Sequence, residues 1–96
     1  MKSTSRKLLR ETVGGEPYEY YPVGRYVVIA PGVCGGRPTF KHTRIDVRHA
    51  LRLLAGGRPI DQVARGYQIP VAAVREALGL AAKAFDQKAQ TLVERV

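Results

Sequence analysis

The sequence has a single cysteine, Cys34, among its 96 residues. One thiol cannot form a disulfide within the chain, and it cannot supply the paired cysteines of a zinc cluster. His42 and His49 lack the spacing of a helical metal-binding pair, so we expect no metal site and no cofactor. Proteins without disulfides are typical of reducing compartments, and we therefore expect a cytoplasmic protein.

Long hydrophobic runs are also missing. Near the N-terminus, Lys2, Arg6 and Lys7 are followed by only Leu8 and Leu9 as an apolar stretch. The apolar core of a signal peptide needs at least about 7 residues, and a membrane span needs about 20. The sequence therefore predicts no insertion into a membrane.

Acidic residues are scarce. The chain has 8 Asp and Glu against 16 Lys and Arg, which gives a formal net charge of +8 and a pI near 10.2. This excess favours polyanionic partners, nucleic acid first. Catalytic groups are hard to assign, because Asp46 is better explained as a helix cap and Cys34 has no assignable activating base. We therefore expect a binding protein and not an enzyme.

The first 17 residues show no sustained hydrophobic period. Residues 1–17 combine charges with Gly14, Gly15 and Pro17, so we interpret them as a basic N-terminal arm. Such an arm is either a solvated tail or a clamp on a partner.

Residues 18–96 form the predicted single domain, which opens with a β element over residues 18–45. Its aromatic and β-branched residues predict a strand at Tyr26–Ile29, and residues 37–45 can return as a second short strand. An apolar edge strand needs a cover, and a chain this short has little core of its own. We therefore expect a homodimer.

Helical signals begin at Asp46, a good N-cap. Residues 46–79 are interpreted as a helix-turn-helix unit, and residues 80–96 as a C-terminal amphipathic helix. Helices are predicted over residues 47–55, from 60 to 66 or 67, and from 71 onwards. Apolar residues of the last helix recur at steps of three or four: Val71, Val74, Leu78, Ala81, Phe85, Ala89, Leu92 and Val96.

The second and third helices match the helix-turn-helix pattern. The small Ala64 permits a close crossing of the two helices, whereas the turn position that usually holds Gly is Gln68. A non-glycine residue there must tolerate a left-handed backbone or a different turn. The predicted core positions are Ile60, Val63, Ala64, Ile69, Val74, Ala77 and Leu78. A packing corner without DNA binding is the alternative.

Cationic side chains provide the candidate DNA-binding residues. The exposed leading positions of the third helix are Val71, Ala72, Arg75 and Glu76, and of these only Arg75 has the forked donors that recognise guanine. Arginines spaced by four residues suit phosphates, although a solvated helix face is the alternative. The predicted phosphate contacts are Lys41, Arg44, Arg48 and Arg52.

One stretch carries a family resemblance. The run from Pro31 to Val47 contains Gly-Gly-x-Pro-x-x-x-x-Thr-Arg-Ile-x-Val, and it precedes Gly56-Gly57 and Ile60-Asp61-Gln62-Val63. From about Arg25 to Phe85 the chain resembles the domain-of-unknown-function family 433. The family usually has Gly where His42 stands, and it commonly has a longer turn at residues 67–70.

The resemblance implies a fold and a function. The expected fold class is α+β, mostly α, with a homeodomain-like helix-turn-helix core, a small N-terminal β element and a long C-terminal helix. Family members resemble antitoxins of type II toxin-antitoxin pairs. We therefore expect an antitoxin that neutralises a PIN-like nuclease toxin and binds DNA to repress its own operon. The alternatives are a stand-alone transcription factor or architectural DNA binder, and a protein-binding adaptor.

The expected toxin-binding segment is the end of the last helix. Its apolar stripe extends beyond what three short helices can cover, which is typical of a helix that lies in a partner's groove. Dimer packing is the other use of such a stripe. The candidate residues are Phe85, Ala89, Leu92 and Val96.

Overall fold

The computed structural model describes residues 7–94, which form a four-stranded antiparallel sheet followed by three helices. The strands lie in chain order across the sheet. They are β1 (Leu9–Val13), β2 (Glu16–Pro22), β3 (Val27–Ile29) and β4 (Pro38–Phe40). The helices are α1 (Val47–Ala55), α2 (Ile60–Tyr67) and α3 (Val71–Glu94), and a single 3-10 turn lies at Cys34–Gly36.

The segment that the sequence presents as an arm contributes β1 and the start of β2. Gly14 and Gly15 both have positive φ, 59° and 83°, as the two central residues of a type I′ hairpin turn require. The turn pairs Val13 with Glu16 and sets the register of the whole hairpin. These two glycines therefore connect paired strands, and the expectation of a single small β element is wrong.

Strand β3 is an interior strand and not an edge. It pairs with β2 on one side and with β4 on the other, and both Val27 and Val28 are buried. The strand that was expected to need a second copy as its cover is therefore covered within one chain. The argument for a homodimer from this strand no longer holds.

The sheet separates two apolar clusters because side chains alternate along a strand. Val27 and Phe40 pack with the buried residues of the helices, whereas Val28 and Ala30 pack with Tyr20. The fold class is thus a four-stranded meander with three helices on one face. This corrects the expected homeodomain-like helical core, because the sheet forms a layer with its own small cluster.

The helix boundaries follow the predicted signals. The Asp46 carboxylate caps α1 by accepting the backbone N–H of Arg48 at 2.8 Å. Pro59 and Pro70 precede the first residues of α2 and α3. Helix α3 continues through Gly79 as one helix. Within residues 7–94, no helix combines the length and the apolar character needed to cross a lipid bilayer.

Candidate nucleic-acid interface

Helices α2 and α3 pack against each other at a corner of the fold. Val63, Ala64, Val74 and Ala77 are all buried where the helices meet. Leu78, which the sequence assigned to this core, is instead 41% exposed. Ala64 is buried in this corner, as predicted, and the close crossing that its small side chain would permit stays a prediction.

The turn of this corner depends on Gln68, which adopts the left-handed conformation with φ 59° and ψ 42°. The N–H of Gln68 donates to the carbonyl of Arg65, and that of Ile69 donates to the carbonyl of Ala64 at 3.0 Å. This pair of hydrogen bonds is a Schellman motif, which satisfies the last carbonyls of α2. The chain therefore makes the turn that glycine usually makes, with a side chain present.

The leading residues of α3 divide into two groups. Ala72 and Arg75 are exposed, whereas Glu76 is half-buried and turned toward the sheet. The backbone N–H groups of Arg25, Tyr26 and Val27 donate to the Glu76 carboxylate at 2.8, 2.7 and 2.9 Å. The sequence assigned Glu76 to the exposed face, so this structural role is a correction.

Gly24 makes the approach of Glu76 possible. A Cβ atom at this position would lie 2.6 Å from the carboxyl carbon of Glu76, closer than real contacts allow. The hydrogen bond from Arg25 to Glu76 also brings Arg25 to the end of α3 that carries Arg75. The Arg25 guanidinium lies 5.6 Å from the ring centre of Tyr26. Sequence reasoning missed Arg25, because this contact joins residues about fifty positions apart.

Arg48, a predicted phosphate contact on α1, faces a different direction from Arg75. Arg48 lines an apolar groove of about 300 Å³ between α1 and α3, together with Ala77 and Ala84. Successive helical residues are rotated by about 100°, so Arg75 lies roughly 160° around α3 from Ala77. Arg48 and Arg75 thus lie on opposite sides of α3, so this predicted phosphate contact does not share a surface with the predicted base contact.

Arg44, Arg52 and Arg58 are exposed around the first two helices. Arg44 lines a depression with His49 and Tyr67, and Arg58 lines a neighbouring one that also includes Tyr67. The Tyr67 hydroxyl is buried without a hydrogen-bond partner among the described residues, and burial raises its pKa. In the described part of the chain, five arginines have no carboxylate oxygen within 4.0 Å: Arg25, Arg44, Arg52, Arg58 and Arg75.

Lys41 lies in a separate polar cluster on the sheet. Its Nζ is 3.0 Å from the Glu11 carboxylate and 4.9 Å from the ring centre of Tyr20. Hydrogen bonds to Tyr20 and then to Glu11 raise the pKa of Lys41. The same carboxylate accepts from the Tyr20 hydroxyl and lies 2.8 Å from Nε2 of His42. Lys41 therefore has an acidic partner, unlike Arg44, Arg52 and Arg75.

Asp46 is the acidic residue of the α1 surface. Partial burial acts to raise its pKa, but hydrogen bonds from Arg37 and from Arg48 outweigh burial and bring the pKa to about 2. The Arg37 Nε lies 2.9 Å from this carboxylate, and a terminal nitrogen of Arg48 lies at 3.4 Å. Asp46 thus neutralises part of the charge that the sequence assigned to phosphate binding.

The distal part of α3 extends beyond the domain. Phe85 is 71% exposed and Leu92 is 55% exposed, whereas Ala89 is partly buried. Val96, the last of the predicted toxin-binding residues, lies outside the described residues. The stripe is therefore accessible to a partner over the part that the structure describes.

A family described as protein of unknown function (DUF433) matches residues 27–81. The chain belongs to this family. The DUF433 match starts at β3 and ends within α3, so it includes the α2–α3 corner and Glu76. The β1–β2 hairpin and the exposed residues from Phe85 onwards lie outside it. Comparisons with curated proteins and with solved structures give no match.

Proposed function

We propose that this DUF433 protein is a DNA-binding antitoxin that neutralises a PIN-like nuclease toxin and represses its own operon. The observation that supports DNA binding best is the packed α2–α3 corner with an exposed Arg75 on its leading helix. The surplus of eight positive charges favours the approach of a polyanion. The toxin partner comes from the family resemblance of the residues between Arg25 and Phe85.

In this proposal α3 enters the major groove with its N-terminal half. Arg75 donates two hydrogen bonds to a guanine, the contact for which its forked donors are suited. Arg25 lies at the same end of α3, and it contacts a phosphate without selecting a base. Neither guanidinium group lies within 4.0 Å of a carboxylate oxygen among the described residues, so both are available to the duplex.

The test of DNA binding begins with selection of a target from random duplexes. Fluorescence anisotropy then compares the selected duplex with an unselected one at several salt concentrations. Arg75→Ala should lose discrimination by roughly 1–3 kcal/mol. Arg25→Ala should weaken binding to both duplexes and lower the salt slope by about one unit.

Arg10→Ala is the matched control, because it removes the same charge from the β1–β2 hairpin, where Arg10 pairs with Glu19. It should leave discrimination unchanged. A triple variant with Arg44, Arg48 and Arg52 replaced by Ala tests the α1 surface. If only that variant loses binding, the duplex lies on α1 and the assignment of Arg75 is wrong. If the wild-type protein binds no duplex, DNA binding is excluded.

Toxin neutralisation requires a different experiment. We assign the toxin contact to Phe85, Ala89 and Leu92, because this stripe is apolar and accessible, with Val96 as its sequence continuation. Co-expression with the adjacent open reading frame should restore growth and allow co-purification. A protein truncated after Ala84 should lose both effects and still bind DNA. If removal of residues 1–17 abolishes rescue and this truncation does not, the N-terminal segment is the toxin-binding part.

A further inference from the structure

Helix α3 has two apolar faces, and only one of them packs on the domain. Ala73, Val74 and Ala77 face the core, whereas Leu78 is 41% exposed and Phe85 is 71% exposed. With about 100° of rotation per residue, Phe85 and Leu78 lie roughly 80° to 100° around the helix from Ala77. The second face therefore lies beside the core-facing one, about a quarter of a turn around the helix, and it has no partner within the described residues.

The residues of this second face repeat with the spacing of a coiled-coil seam. The steps between them are four, three, four and three residues, which is the alternation of a seven-residue repeat. Large and small side chains alternate along it, and Val93, 73% exposed, flanks it. We define these residues as the seam: Leu78, Ala82, Phe85, Ala89 and Leu92.

We propose that the seam pairs with the seam of a second copy of this chain, with the two helices antiparallel. In an antiparallel pair, the two core positions of the repeat face each other, so each large side chain meets an alanine of the partner. Alternation of large and small residues across a contact fills space without voids. In a parallel pair, Phe85 would face the partner's Phe85, and Ala89 would face the partner's Ala89. Crowded layers would then alternate with hollow layers, which contain cavities.

The charge of α3 favours a second copy as the occupant. Val71–Glu94 contains Arg75, Lys83 and Lys88 as cations and Glu76, Asp86 and Glu94 as anions, so its net charge is 3 − 3 = 0. The whole chain carries +8, and two copies that met through their basic surfaces would repel each other. The seam allows them to meet where this repulsion is smallest. A two-fold axis relates one patch to itself, which is the usual symmetry of a dimer.

The size of the seam sets the strength of the pairing. From Leu78 to Leu92 it extends about 21 Å at 1.5 Å per residue. A contact of this length between two helices is smaller than the ~800 Å² per partner of a standard interface. We therefore expect a reversible dimer with a dissociation constant on the order of 10 µM. The toxin contact proposed above also uses Phe85, Ala89 and Leu92, so a toxin on these residues displaces the second copy. The pairing is therefore a property of the free chain, and it does not depend on DNA or toxin binding.

Sedimentation equilibrium of the full chain without DNA or toxin tests the pairing. The protein should be mainly dimeric at ~200 µM and mainly monomeric at ~1 µM. Phe85→Ala should weaken association at least about 10-fold, because a well-packed aromatic anchor is lost. Phe85 is exposed in the single chain, so this variant should keep the wild-type circular dichroism. A monomer at ~200 µM, or association unchanged by Phe85→Ala, would overturn the proposal.

Ala89→Leu tests the orientation. In the antiparallel pair the added side chain collides with a large residue of the partner, and association should weaken about 10-fold. In a parallel pair it would fill a hollow layer and strengthen association, which would overturn the antiparallel arrangement. Alanine and leucine both favour helices, so the helix itself is preserved. Gln87→Leu adds the same side chain on the opposite side of α3 and should leave association unchanged.

Discussion

The Glu76 side chain joins the sheet to α3. Its carboxylate accepts three backbone N–H groups from Arg25, Tyr26 and Val27, at the point where the chain enters β3. A carboxylate suits this position, because it only accepts hydrogen bonds and an ionised acceptor strengthens them. The orientation of α3, and with it the direction of Arg75, therefore depends on one side chain.

Replacement of this side chain should destabilise the fold. Glu76→Ala removes the acceptor for the N–H groups of Tyr26 and Val27, and we expect a loss of about 2–3 kcal/mol in the free energy of unfolding. Glu76→Gln keeps one acceptor oxygen but adds an N–H₂ group, so its loss should be smaller. Urea unfolding measures both. Glu16→Ala, at an exposed residue of β2, is the control, and a loss of the same size there would contradict this role of Glu76.

Glu11 is the acidic centre of the sheet cluster. Hydrogen bonds from Tyr20, then His42, then Lys41 lower its pKa from 4.5 to about 2. These contacts connect the β1–β2 hairpin to the loop after β4, where the His42 N–H also donates to the Tyr18 hydroxyl at 3.0 Å. The ionised form of Glu11 thus stabilises the attachment of the hairpin.

The pH dependence of stability follows from this shift. Because the pKa of Glu11 is lower in the folded chain than in the unfolded chain, its contribution is complete above about pH 5 and is lost as the pH falls toward about 2. Asp46, with a pKa of about 2, adds to the loss in the same range. In a plot of melting temperature against pH, the acid limb is the part that falls below about pH 5. Thermal unfolding should show a flatter acid limb for Glu11→Gln than for the wild type. Glu16→Gln should leave that limb unchanged, and an unaltered limb in Glu11→Gln would refute the assignment.

At the scale of the elements, local signals were sufficient for the helices. Asp46, Pro59 and Pro70 mark the helix starts within a few residues of sequence, and the helices begin there. Strand β1 has no such signal, because its residues are mostly exposed and its conformation depends on pairing with β2. A pair of glycines such as Gly14 and Gly15 is typical of a flexible linker as well as of a hairpin turn. Only their positive φ values identify the hairpin turn.

The candidate site could be predicted only where local sequence determines it. The corner of α2 and α3 is encoded locally, so Val63, Ala64, Val74 and Ala77 were correctly predicted to be buried. Leu78 was wrongly included, and the buried Ala73 was missed. Apolar residues do recur every three or four positions along α3. Their spacing does not indicate that they form two faces with different partners. The contact of Glu76 with Arg25 and that of Lys41 with Glu11 join distant positions, and no spacing rule indicates them.

The turn between α2 and α3 stores a conformational cost. A non-glycine residue in the left-handed region costs roughly 1–2 kcal/mol, part of which glycine recovers despite its larger loss of backbone entropy. Gln68 occupies this region at φ 59° and is exposed. Gln68→Gly should therefore raise the free energy of unfolding by about 0.5–1 kcal/mol.

Two further variants make this prediction specific. Gln68→Val should lower stability, because a β-branched side chain tolerates the left-handed region worst. Gln62→Gly, at an exposed position inside α2, should also lower stability by about 1 kcal/mol, since glycine weakens a helix interior. Thermal unfolding measures all three. Equal destabilisation by Gln68→Gly and Gln62→Gly would mean that the turn is not strained.

At the scale of the whole molecule, charge and apolar surface are separated. Arginines without acidic partners surround the compact part of the chain, whereas α3 is electrically neutral and carries the exposed seam. The longest dimension of the molecule is 52 Å, against 21 Å for the shortest. The arginine-rich part of the molecule, with Arg75 at the start of α3, and the distal part of the seam are therefore separate surfaces, one for a polyanion and one for a protein partner.

The distal part of α3 should be sensitive to proteolysis. Its side chains from Phe85 to Val93 are exposed, except for Ala89, so little tertiary packing holds this part of the helix. Helical segments shorter than about 12–15 residues are marginal in water without such packing. The backbone around Lys88 should therefore open often enough for a trypsin-like protease to cleave it in the solitary chain. A partner on the seam should hold that backbone in the helix, so cleavage at Lys88 should be slower in the paired chain than in the solitary one.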